Sequence, residues 1–116
     1  MGFLPIFYFK GDHVMKMIQK LSDYIEDEIK DAEKYARNAL EYKEKDSALA
    51  DMYYKLANDE MGHMNTLHTH VTRIIDDYKK KSGDPPEAML LLYDILHKKH
   101  IENAAYVKAL LGLYKP

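Results

Sequence analysis

DSALADMYYKLANDEMGHMNTLHTHVTRIIDDYKKKSG, residues 46–83, carries the pattern that decides the fold. Leu49, Tyr53, Leu56, Leu67, Val71 and Ile74 recur at intervals that place them on one face of a long helix. Asp46 or Ser47 suits its N-cap, Lys79, Lys80 and Lys81 suit the negative end of its dipole, and Gly83 suits its stop. Two polar residues interrupt the apolar face. Glu60 and His63 lie about 30° either side of its centre. Three residues apart, they share one patch of helix surface. A glutamate in that position is costly unless it is paired, hydrogen-bonded or bound to a cation.

Working outward, the segment before residue 46 reads as a second helix. Asp12 is expected to cap it, and Val14, Ile18, Leu21, Ile25, Ala32, Ala36 and Ala39 form its apolar stripe. The stripe is lost between Tyr42 and Lys45. Beyond Gly83, Asp84-Pro85-Pro86-Glu87 supplies a cap, a proline for the first turn and a glutamate placed for a capping box. Met89, Leu92, Leu96, Ala104, Val107, Leu110 and Leu111 then continue at helical spacing. No strand pattern competes. The expected architecture is all-α: an up-down-up bundle of three antiparallel helices, each roughly 30 residues and about 45 Å long. Residues 12–116 form one helical domain, and residues 1–11 read as a disordered or extended N-terminal arm. Three helices leave one side open, and a homodimer would complete the packing.

Composition narrows the function. The chain has 116 residues, 47% hydrophobic and 31% charged, with a net charge of −2. That size suits one domain, and that balance gives no reason to expect a nucleic acid or an anionic membrane as partner. Cysteine is absent, which excludes disulfides, thiolate metal sites and cysteine nucleophiles and fits a cytoplasmic location. Residues 1–9 are apolar but too short to span a bilayer, and they lack the basic start of a signal peptide. Ser22, Ser47 and Ser82 read as cap or loop residues without a base beside them. No glycine-rich phosphate loop is present. The methionines and tyrosines read as packing residues, and His68 and His70 as surface ones.

A level argument brings a partner to Glu60 and His63. In a hairpin turning near residue 45, position 28 faces a position near 62, and Glu28 borders the stripe containing Ile25, Ala32 and Ala36. Reflection about the turn near residue 83 puts His100 and Glu102 within about a turn of the same height. His97 lies on the opposite margin of that third face. Glu28, Glu60 and His63 are therefore the main candidate metal ligands, with His100, Glu102 and His97 as further candidates. The three are expected to converge in a water-poor interior.

The segment from Glu28 through Tyr35 and Ala36 to Ala39, followed by Ala57-Asn58-Asp59-Glu60-Met61-Gly62-His63, resembles the first half of a rubrerythrin-like domain of the ferritin-like superfamily. A first-helix glutamate, an aromatic seven residues later and a Glu-x-x-His element 32 residues on occur in the family's order. The resemblance implies Glu28 and Glu60 as carboxylate ligands, His63 as an imidazole ligand and Tyr35 as a supporting neighbour. It also implies iron, as one or two ions, with oxidation of Fe(II) or reduction of peroxide as the activity; Mn and Zn suit the same donors. The chain departs from the family in lacking a second Glu-x-x-His. Two routes to a full site follow: third-helix residues within one chain, or a half-site from each of two chains, as in the encapsulated ferritins. The alternative function is a non-catalytic helical scaffold that keeps the bundle alone.

Overall fold

The computed structural model describes residues 3–115, with side chains from Gly11 to Lys115. Three helices fill it: α1 (Phe3–Tyr42), α2 (Ser47–Ser82) and α3 (Glu87–Tyr114). They form a rod of 68 × 18 × 17 Å. No strand occurs among the described residues, so the all-α expectation holds. No described helix is long and apolar enough to cross a membrane.

Helix boundaries follow local chemistry, with two departures from the sequence reading. Met1 and Gly2, part of the expected arm, lie outside the described residues, and from Phe3 onward the chain is helical. Asp12 is therefore inside α1 rather than at its cap. The sole proline of this stretch, Pro5, falls in the first turn, where its missing N–H costs nothing. Gly11 in a helix interior costs about 1 kcal/mol, too little to stop a helix by itself. The second departure is at α3, which starts at Glu87 with Pro86 at the cap and no side-chain capping bond. Asp84 and Pro85 each precede a proline, and that position is sterically pushed out of the helical region. Helical geometry can therefore begin no earlier than Pro86, and since Pro86 is extended at ψ 144°, the first helical residue is Glu87. Glu87 still lies in the first turn, where its charge suits the dipole.

The α2 ends match their sequence signals. The Asp46 side chain accepts a hydrogen bond from the Leu49 N–H at 3.1 Å. Gly83 adopts φ 86°, a conformation costly for any residue with a Cβ, and its N–H donates to the Lys79 carbonyl at 3.1 Å.

Helix α1 is the central element. Along one flank it packs closely on α2, through buried Ala32, Ala36, Ala39, Ala50 and Ala57. These small side chains let two backbones approach over several turns. Its other flank holds α3. There Lys99 donates to Glu26 at 3.1 Å, holding that carboxyl below its usual range. Arg37 reaches the Tyr106 hydroxyl, and Lys43 donates to the Leu113 carbonyl at 3.3 Å. Ile18, Ile25, Val71, Met89 and Val107 fill the space between the three helices.

Helices α2 and α3 pack little against each other. They meet through rings: Tyr54 stacks on Tyr114 at 4.9 Å, and His68 stacks on His97 and Tyr93. Tyr114 also donates to the Asp51 carboxylate, a bond that pushes its phenol up to about 12. Ser22, read as a cap or loop residue, is instead buried within α1.

Candidate metal centre

Glu28 of α1 and Glu60 and His63 of α2 do converge. His63 Nδ1 is 3.5 Å from Glu28 Oε2 and 3.9 Å from Glu60 Oε2. One ligand atom from each of the three lies within 4.8 Å of the others. The geometry follows from helix periodicity. Three residues of α2 bring Glu60 and His63 onto one patch, and the hairpin carries Glu28 to the same height. Buried Ala57 and Met61 both lie on the Glu60 side of that patch, which turns His63 toward the outer edge.

The surroundings differ from the interior site that the sequence suggests. Glu28 and Glu60 are partly sheltered, with side-chain exposures of 26% and 18%, whereas His63 is 61% exposed. The cluster is a groove on the α1–α2 seam, open on one side. Its inner wall is nevertheless dry at one atom: Glu28 Oε2 is shielded from solvent and accepts no hydrogen bond, although His63 Nδ1 lies 3.5 Å away. A carboxylate oxygen in that state is destabilised until a cation or a proton reaches it. Two carboxylates and one imidazole form a donor set suited to first-row divalent ions.

The third-helix candidates do not join this group. Among the described residues it contains Glu28, Glu60 and His63 alone. His100 is buried on the opposite flank of α1, beside Ile25. His97 stacks between His68, at 4.5 Å, and Tyr93, at 5.1 Å. Glu102 is exposed. The expected height is right and the flank is wrong. Two residues along a helix turn a side chain by about 200°. Glu28 therefore points toward α2 while Glu26, paired with Lys99, points toward α3. Tyr35, given a supporting role by the family resemblance, stacks on Tyr53 at 6.2 Å, about two turns further along α1.

A second polar cluster went unread in the sequence. His68 Nε2 and the Tyr93 hydroxyl are hydrogen-bonded at 3.0 Å, and His97 Nδ1 is shielded without a partner. Burial, followed by the neighbouring His97, pushes the His68 imidazole below its usual range. His100 is lowered as well, by burial against an opposing pull from Glu26. Burial raises the Tyr93 phenol. The available signal was the spacing Tyr93, His97, His100, Ala104, steps of four, three and four along one face of α3. His70, by contrast, is exposed as expected and accepts from Arg73 at 3.2 Å.

Fold and site define a three-helix, all-α protein with a carboxylate–imidazole cluster on its α1–α2 seam. Comparison with family models, with curated proteins and with solved structures finds no match to the chain.

Proposed function

We propose that the chain is a metal-binding helical protein in which Glu28, Glu60 and His63 hold a divalent cation. The observation that carries this reading is the convergence of the three donors around a carboxylate oxygen that no protein group satisfies. The resemblance to rubrerythrin-like ferritin domains favours iron, and the same donors accept Mn or Zn. Bound iron would supply oxidation of Fe(II) by oxygen or peroxide. The protein's part is positional: Glu28 and Glu60 neutralise the charge from opposite helices, and His63, at the exposed edge, closes the third side. Three ligands leave coordination positions free for water, or for the same three residues of a second copy facing this seam. The absence of cysteine suits a reducing cytoplasm as the setting.

Metal analysis of protein purified without added metal, followed by anaerobic Fe(II) titration of wild type and Glu60→Ala, tests the reading. Stoichiometric binding is expected in wild type, weakened roughly tenfold or more in the variant. Oxygen uptake on adding Fe(II) would extend the reading to oxidation; binding without uptake would confine it to metal holding. Absence of binding in wild type would leave the scaffold alternative. That alternative draws on a separate observation, the apolar outer face of α3.

A further inference from the structure

Among the described residues, six of the eight large hydrophobic side chains that stand exposed belong to α3, among them Leu91 at 57% and Ile95 at 60%. Helices α1 and α2 are apolar on one side. Helix α3 is apolar on two: one face packs on α1 and the other meets solvent. A helix apolar all round is ordinarily covered all round. The outer face is also ordered in a way that selects its cover. Leu91, Ile95, Lys98, Glu102, Ala105 and Ala109 follow one another in steps of four and three, all exposed, forming a seam about 27 Å long.

The geometry points to a second copy of this chain, its α3 laid antiparallel on this seam with the two-fold axis near residue 100. In that register the seam is complementary to itself. Leu91 falls opposite Ala109, Ile95 opposite Ala105, and Lys98 opposite Glu102, each pairing occurring twice about the axis. Every bulky residue meets a small one, so two helices can close to contact distance. The charges in the middle of the stripe meet their opposites. Within one chain, Lys98 and Glu102 form no ion pair among the described residues, although they stand one turn apart. On one edge of the seam the same axis brings Asp94 opposite Lys108 and Ile101 opposite its own copy. A parallel pairing would instead stack Lys98 on Lys98 and Glu102 on Glu102. A four-three repeat with one oppositely charged pair at its centre is a means of fixing orientation and register.

This pairing uses the side of α3 turned away from α1 and does not rest on the metal reading. It is tested with EDTA present, so that a metal-bridged contact through Glu28, Glu60 and His63 makes no contribution. The chain has no native cysteine, so single cysteines report register directly. Lys98→Cys and Glu102→Cys proteins, mixed and mildly oxidised, are expected to form a disulfide-linked heterodimer, with much less linkage in either protein alone. Equal linkage in the separate proteins, or none in the mixture, overturns the register. In a second arm, sedimentation is expected to show a wild-type dimer. Lys98→Glu is expected to weaken it roughly tenfold or more, and Lys98→Glu/Glu102→Lys to restore it. Circular dichroism of each variant separates lost pairing from lost folding. A wild-type chain that stays monomeric at high micromolar concentration overturns the proposal and leaves the face to a different partner.

Discussion

At the scale of single residues, Glu28 sets a conflict between stability and ligand capacity. Its sheltered Oε2 carries charge without a hydrogen bond, while the rest of the side chain is anchored against α2. Glu28→Gln keeps the shape and removes the charge. Without metal, the variant is expected to be more stable than wild type by about 1 kcal/mol, the scale of an unsatisfied buried polar group. It is expected to lose metal affinity in the same titration that tests Glu60→Ala. Thermal melts with and without Fe(II) check both halves. If the two substitutions destabilised the metal-free protein equally, Glu28 would be an ordinary structural ion-pair partner. Such groups gather where function is served at a cost in stability. These residues were legible in the sequence because Glu60 and His63 violate an otherwise regular stripe. Their exposure was not. Helical periodicity reports angular position on one helix, and says nothing about which side a third helix will cover.

Among elements, the α1–α2 seam and the C-terminal end of α3 make different demands. The seam is built from alanines with essentially no exposed surface, so it has no room for a longer side chain. Ala57→Leu is expected to destabilise by about 1–3 kcal/mol through overpacking, and chemical denaturation followed by circular dichroism measures it. At the other end, Tyr114 is fixed by its ring against Tyr54 and its hydroxyl on Asp51. Tyr114→Phe removes only the hydrogen bond. A small loss of stability is expected in the same denaturation measurement, smaller than that of a substitution that also empties the ring's place. Helix existence was readable throughout, since stripes of this length have no rival interpretation. Helix starts were readable where one side chain decides them, as Asp46 does. They were not readable where two adjacent prolines shift the first permitted helical residue, nor at Asp12, a good cap residue that lies inside a helix already begun at Phe3.

For the molecule as a whole, the buried imidazoles give stability a direction in pH. Burial holds His68 and His100 below the ordinary imidazole value of 6.5. His97 pushes both further down. Lys99 and His68 push His100 down as well, and Glu26 alone opposes them. The folded protein therefore binds fewer protons than the unfolded chain as pH falls through 6.5. Stability is full above that value and declines with acidification toward the lower folded pKa values. In EDTA, the melting temperature is expected to fall between about pH 7 and pH 5, and His68→Gln/His100→Gln to flatten that slope. A slope unchanged in the double variant would assign the effect to carboxylates.

The three-helix order and the antiparallel hairpins were contained in the sequence, because short connections admit few alternatives. The unequal packing was not: α1 touches both neighbours, whereas α2 and α3 nearly miss each other. That arrangement also orders assembly during synthesis. Helices α1 and α2, the pair with the most extensive seam, are made before α3, and they are neighbours along the chain, so their search is short. Helix α3 then docks onto a surface already formed. A truncated nascent chain ending near residue 83 thus holds a closed zipper, whereas one lacking the first forty residues has nothing to close upon.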